Sequence, residues 1–257
     1  MTDTAHSGRI LDQFTRQAAA FSGAAMITDE SVLTMIVEAA GAGPADTVLD
    51  VACGPGIVVC AFAPHVRSAT GIDFTPAMLD RAEVLAIERG LENVEWDQGD
   101  AYNLPYPDAR FSIVVTRYSL HHLHDPLAAL REMVRVCTPG GRIVVVDAYA
   151  SEDPVKAAAY HRIEKLRDPS HARSLTLTEL RDLFPRAGLP QPQQTLYELP
   201  VGLAELLGRA FPNPGDLDEI RAAFTAAADD DRLGIPVRRD GGEIRIAYLA
   251  AILTAQR

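Results

Sequence analysis

The chain predicts an open, doubly wound α/β sheet with helices on both faces, and three observations carry that expectation. Short strand-like runs at 47–51, 69–72, 94–98, 111–116 and 142–146 alternate with segments of helical length. The first run passes through a turn of small residues, Ala52-Cys53-Gly54-Pro55-Gly56, into an apolar helical stretch beginning at Ile57. Small side chains there let the backbone approach a ligand, and a helix start presents outward-pointing N–H groups. Finally, Asp73, Gly99-Asp100-Ala101 and the run from Arg117 to His122 each follow the C-terminal end of a strand. Open α/β sheets bind their ligands at that end.

Taken in order, residues 1–9 are polar and read as a frayed terminus. Residues 10–21 place Ile10, Phe14, Gln17 and Phe21 at helical spacing, so a helix packs one face on the domain. A second helix at 31–40 is stopped by Gly41-Ala42-Gly43-Pro44. After the second strand, Thr75 is positioned to cap a helix that has Pro76 at its first turn. Trp96 falls inside the third strand and reads as structural, and 104–108 is a rigid connector. Asp125-Pro126 opens the next helix, and Pro139-Gly140-Gly141 separates it from the fifth strand. Helices follow at 154–167 and 178–187, then an antiparallel pair of strands at 193–199 and 243–253. Between those strands lie helices at 203–210 and 216–231, the latter ending in Asp229-Asp230-Asp231, a solvated acidic end. With no repeats and no low-complexity linker, 257 residues suit one domain with an insertion.

The turn also speaks to the ligand. A dinucleotide fold favours G-x-G-x-x-G, whereas this turn reads D-x-A-x-G-x-G, with Asp50 upstream. That pattern resembles motif I of the class I S-adenosylmethionine-dependent methyltransferases, with Ala52 where the family usually has glycine. GIDFTPAMLDRA (71–82) resembles motif II, and 99–147 resembles the segment through motifs III and IV. The likeness is greatest to small-molecule methyltransferases of the ubiquinone/menaquinone-biosynthesis type. It implies a Rossmann-like sheet of seven mostly parallel strands with an antiparallel final strand, and S-adenosyl-L-methionine as cofactor. Residues 1–44 would form an N-terminal helical lid, 45–150 the cofactor-binding core, and 151–177 with 201–240 a helical substrate cover.

Carried onto this sequence, the resemblance implies a cofactor site of Asp50, Ala52, Gly54, Gly56, Asp73, Phe74, Met78, Asp100, Ala101 and Arg117. Asp73, roughly 20 residues past the turn, is placed for the ribose diol. Phe74, in the loop itself, is placed for the adenine ring, as is Met78 one turn into the helix, where the competing reading is a core methionine; Asp100 is placed for the exocyclic amine with Ala101 leaving room. In the lid, Phe14, Gln17 or Phe21 would close over the cofactor. A ligand carrying an ammonium and a sulfonium suits acidic surroundings.

Composition narrows the partners. A net charge of −11 argues against nucleic acid or an anionic membrane surface. Three cysteines, an odd number set in apolar runs, argue against a disulfide framework and for a reducing cytoplasm. No signal peptide is evident, and no apolar run approaches the roughly 20 residues of a membrane helix. A homodimer is left open.

His121, His122 and His124 with Asp125 look superficially like a metal cluster, but consecutive ligands rarely converge on one ion, so no metal is expected. The resemblance instead puts this loop beside the transferred methyl, where His122 and Tyr118 are catalytic candidates. His122 would serve as general base or orient the acceptor; the alternative is a helix-start histidine bonding backbone. Tyr118, His121, His122, Tyr160, His161, Arg167 and His171 are the expected acceptor-binding set. For the helix at 154–167 the competing reading is ordinary surface pairing of Glu164 with His161 or Arg167. The expected reaction is methyl transfer to a small-molecule acceptor, at carbon or oxygen ahead of nitrogen. Cofactor binding without methyl transfer is the alternative, and a nicotinamide oxidoreductase is disfavoured by the missing G-x-G-x-x-G.

Overall fold

The computed structural model describes residues 4–21 and 28–257, with the side chains of residues 4 and 19–21 outside that description, Phe21 among them. Helix α1 spans Thr4–Phe21 and α2 Glu30–Ala39. The core then runs β1 Thr47–Val51, α3 Ile57–Phe62, β2 Ser68–Asp73, α4 Pro76–Glu88, β3 Val94–Gln98, β4 Phe111–Arg117, α5 Pro126–Val136 and β5 Cys137–Ala148. Beyond it come α6 Pro154–Arg167, α7 Leu177–Arg186, β6 Gln193–Gly202, α8 Leu203–Gly208, α9 Asp216–Ala227, β7 Val237–Asp240 and β8 Glu243–Gln256. The sheet order is β3-β2-β1-β4-β5-β8-β6, with β7 pairing β8. β1 to β5 are parallel, and β8 runs antiparallel to β5, β6 and β7.

Two-residue alternation along the central strands sends side chains to opposite faces. Leu49, Val114, Ile143, Val145 and Leu253 pack with α5 and α7 on one face. Val48, Ile113, Val115, Val144 and Ile252 pack with α2 and α3 on the other. Both faces being covered, the parallel strands carry near-continuous apolar runs. A third cluster joins α6, α8 and α9 to the ends of β6 and β8. It forms beyond the C-terminal edge of the parallel strands and builds a wall over that end of the sheet.

The described residues correct the sequence reading of the fold in two places. Residues 4–9 are the first turns of α1 rather than a frayed end, because His6 is anchored: its Nε2–H donates to the His122 carbonyl at 2.7 Å. Tertiary anchoring of this kind outweighs a weak local propensity. An eighth strand, β7, joins the expected seven. Arg238-Arg239-Asp240 shows no apolar alternation, yet Gly241 and Gly242 both take positive φ, +54° and +88°, and turn the chain into β8. Two positive-φ residues are what a tight two-residue hairpin needs. The run Asp229-Asp230-Asp231 is spent on ion pairs with Arg239, Arg232 and Lys156.

Candidate active site

The turn after β1 sets the floor of the site. Ala52, Gly54 and Gly56 take φ of +58°, +52° and +78°. Gly56 does not border the cavity; a Cβ there would lie 2.4 Å from the Trp96 ring, so packing beneath the turn requires glycine. Ala52 holds a left-handed conformation that costs an L-residue about 1–2 kcal/mol. Above the turn lies a cavity of about 540 Å³, within the range of small-molecule sites. Asp50, Ala52, Gly54, Asp73, Phe74, Met78, Asp100, Ala101 and Arg117 all border it.

Two carboxylates dominate its electrostatics. Asp73 at the end of β2 accepts the Gly54 N–H on Oδ2 and the Thr75 N–H on Oδ1, each at 2.8 Å. Burial raises its pKa against those bonds. Thr75 precedes α4 as expected, but it donates its backbone N–H to Asp73 and does not cap the helix with its hydroxyl. Asp50 is 1 % exposed and its Oδ1 has no partner among the described residues. Burial pushes its pKa well up, with the Arg117 charge opposing. A buried carboxylate oxygen without a donor suits a cationic ligand, which would reverse that shift. Asp100 closes the far end, its Oδ1 accepting the Tyr102 N–H at 2.9 Å. The small-residue turn, the acid with one unpartnered oxygen, the held acid and apolar Phe74 and Met78 together fit S-adenosylmethionine.

Helix α1 roofs this cavity with His6, Ser7, Ile10 and Phe14. His6 stacks on His124 at 3.8 Å, the Phe14 ring meets His122 edge-on at 4.9 Å, and Gln17 donates to Asp168 Oδ2 at 3.1 Å.

A smaller chamber of about 100 Å³ adjoins, and Tyr118 and His122 border both spaces. Of the expected acceptor set, Tyr118, His121, His122, Tyr160, Arg167 and His171 line it; His161 does not, though its ring lies 5.3 Å from that of His171. Glu164 is 3 % exposed, so the surface-pair reading fails. It bonds Arg167 at 2.6 Å and the Tyr248 hydroxyl at 3.0 Å inside the wall.

Tyr118 sits at φ +53°, unusual for a bulky residue, with its hydroxyl 2.6 Å from that of Tyr197 and the Arg117 guanidinium 4.6 Å from its ring centroid. Non-glycine residues in this region mark sites where surrounding structure imposes strain. His122 Nδ1 lies 3.1 Å from Ser170 Oγ, which donates its own proton to Asp168 Oδ1 at 2.5 Å. His122 Nδ1 must therefore carry the hydrogen, leaving Nε2 as the bare nitrogen. Burial and the neighbouring His121 push the His122 pKa well below 6.5, against the pull of Asp168. His121 behaves oppositely: burial opposes its charge, but the Asp147 carboxylate, 2.6 Å from Nδ1, outweighs this and raises its pKa. Sequence reasoning missed His6, Asp147, Asp168 and Ser170 and gave Glu164 only a surface pairing; of the missed residues only Asp147 carried a signal, since it lies near the end of a strand.

A sheet whose first five strands are parallel, with these features at their C-terminal edge, is that of a class I methyltransferase, and comparison with known proteins agrees. Residues 49–145 match the family described as methyltransferase domain. The uncharacterized methyltransferase YcgJ of Bacillus subtilis (strain 168) is 32% identical over 93% of this chain and 96% of its own. Its crystal structure superposes with a TM-score of 0.81, covering 89% of this chain and 98% of that one. The ubiquinone/menaquinone biosynthesis C-methyltransferase UbiE of Bdellovibrio bacteriovorus is 36% identical over 49% of this chain and 54% of its own. The chain belongs to the class I S-adenosylmethionine-dependent methyltransferases.

Proposed function

We propose that the protein methylates a small-molecule acceptor, at carbon or oxygen, held in the smaller chamber, with the cofactor in the larger one. The observation that carries this reading is that Tyr118 and His122 border both spaces. When bound, S-adenosylmethionine supplies an electrophilic methyl whose sulfur is already a good leaving group. The chain's own work is then alignment, exclusion of water and removal of a proton where the acceptor needs it. Asp73 holds the ribose diol, Asp50 faces the cationic end, Asp100 takes the exocyclic amine, and Phe74 and Met78 flank the ring. Residues 45–150 form the cofactor core, α1 within 1–44 the lid, and 151–177 with 201–240 the acceptor cover.

His122 is the general base. Its Nδ1–H is directed to Ser170, whose proton is committed to Asp168, so Nε2 is the atom that receives the acceptor's proton. The ring is neutral at ordinary pH because burial lowers its pKa. The UbiE relative, a C-methyltransferase by name, supports carbon as the acceptor atom. Among the described residues no helix is long and apolar enough to cross a membrane, and Cys53, Cys60 and Cys137 are buried free thiols, which suits a reducing cytoplasm.

The pH–rate profile of His122→Asn tests the base. Turnover falls by about 10²–10⁴-fold at unchanged cofactor affinity. A protonated imidazole cannot accept a proton, so wild-type activity falls as pH drops through the lowered pKa, below 6.5. The variant loses that acid limb. Near-normal turnover with the limb intact would overturn the assignment.

A further inference from the structure

The smaller chamber presents a mostly apolar surface, from Ala148, Leu199, Leu206 and the rings of Tyr118, Tyr160 and Tyr248, into which a few polar groups are set, the Arg167 and Arg209 guanidinia and the His171 ring among them. Its two carboxylates are already engaged by the chain. Glu164 accepts the Tyr248 hydroxyl on Oε1 and Arg167 Nε and Nη2 on Oε2, at 3.1 and 2.6 Å. Asp168 accepts the Ser170 N–H and hydroxyl and the Gln17 amide. A guanidinium carries more N–H groups than the two that Arg167 gives to Glu164.

His171, 2 % exposed, has an Nδ1 without a partner among the described residues, while its Nε2 lies 3.2 Å from Ser174 Oγ. In the tautomer in which Ser174 donates to Nε2, the ring proton sits on Nδ1 as a buried donor lacking an acceptor among the described residues. Leaving such a group unmatched is costly, so a ligand oxygen is the natural complement. Arg209 brings a second guanidinium to the same wall. Its pKa is lowered by burial and by repulsion from Arg167, against the pull of Glu205, and an anion near both would relieve that repulsion.

Size limits the guest. About 100 Å³ is below the ~150 Å³ cavity that encloses one benzene, so a group of few heavy atoms fits. We propose that this chamber receives the carboxylate of a small organic acid, with Arg167 and His171 as its donors, and that the methyl acceptor is such an acid. The second half rests on the methyl-transfer reading above. Tyr118 and His122 then border the part of the acid next to its carboxylate, where the proton is removed.

The test uses the full chain saturated with S-adenosylhomocysteine and four probes: acetate, pyruvate and their neutral amides, acetamide and pyruvamide. Ligand-observed NMR titration gives their affinities. The acids bind at least tenfold more tightly than the amides. The paired replacement Glu164→Gln with Arg167→Gln, which removes the buried Glu164 charge together with that of its half-buried partner and so protects the fold, abolishes the preference. His171→Leu weakens acid binding at least threefold, and Arg167→Lys retains part of the preference. Equal binding of acids and amides to the wild type, or a preference that survives the paired replacement, overturns the acid site. Cofactor affinity in the same samples separates the two readings. Unchanged cofactor binding without acid preference sinks the acid site alone, whereas acid binding without methyl transfer to any acceptor sinks the methyl-transfer reading and leaves the site standing.

Discussion

Replacing Asp73 by alanine removes a carboxylate that serves the protein and, on this account, the ligand. The residue is 9 % exposed and each carboxylate oxygen already accepts one backbone N–H at 2.8 Å, from Gly54 and Thr75. An ionised carboxylate has about four acceptor sites, which leaves two for the ribose diol. Hydrogen bonds to a charged group contribute about 1.5–3 kcal/mol each, and water recovers part of that when the acceptor is lost. The net loss in cofactor binding is therefore about 1.5–3 kcal/mol, or roughly 10–150-fold in Kd. The same substitution strands the Gly54 and Thr75 N–H groups, so Tm falls as well, and affinity must be measured by calorimetry well below it. An analogue lacking the ribose hydroxyls completes a cycle: it binds the wild type weakly but Asp73→Ala no worse than the full cofactor does. Native affinity in a folded Asp73→Ala, or equal loss of analogue affinity in both proteins, would refute the reasoning.

Asp100→Ala should weaken the full cofactor but make the protein indifferent to an analogue without the exocyclic amine; persistent discrimination in the variant would remove Asp100 from the adenine end. Asp147→Asn should lower the His121 pKa, because burial is then opposed only by the Asp168 and Glu164 charges. An NMR titration reads this directly, and the wild-type pair should stabilise the fold fully below the unfolded imidazole pKa and lose its contribution as pH rises through the raised value. Ala52→Gly relieves a left-handed alanine at φ +58° but adds unfolded-state freedom, so stability should rise by about 0–1 kcal/mol. A loss beyond about 1 kcal/mol in chemical denaturation would mean that the Ala52 methyl packs more than it strains.

The bounds of β1, β3 and α6 follow from apolar runs and punctuation by glycine and proline, and the structure places them at the same residues. The turn from Asp50 to Gly56 was legible because a backbone that must approach a ligand admits few residue types. Tertiary partnership was not legible. Glu164 and Arg167 stand at a spacing that looks like surface pairing, and only Tyr248, distant in sequence, reveals a buried wall. His6 lies in a polar terminus whose helix depends on contacts with His122 and His124. Gly56 fits the motif, yet its close neighbour is Trp96 and not the cavity. Ser170 and Asp168 acquire meaning only once the chain folds back onto His122.

Transfer of labelled methyl decides the central claim most directly. The protein is incubated with S-adenosylmethionine labelled in its methyl carbon and an extract of small metabolites, and the products are resolved by mass spectrometry. The account predicts one small-molecule product carrying the label, formed one for one with S-adenosylhomocysteine and strongly reduced in His122→Asn. Label confined to macromolecules, or S-adenosylhomocysteine accumulating without a methylated small molecule, would contradict it.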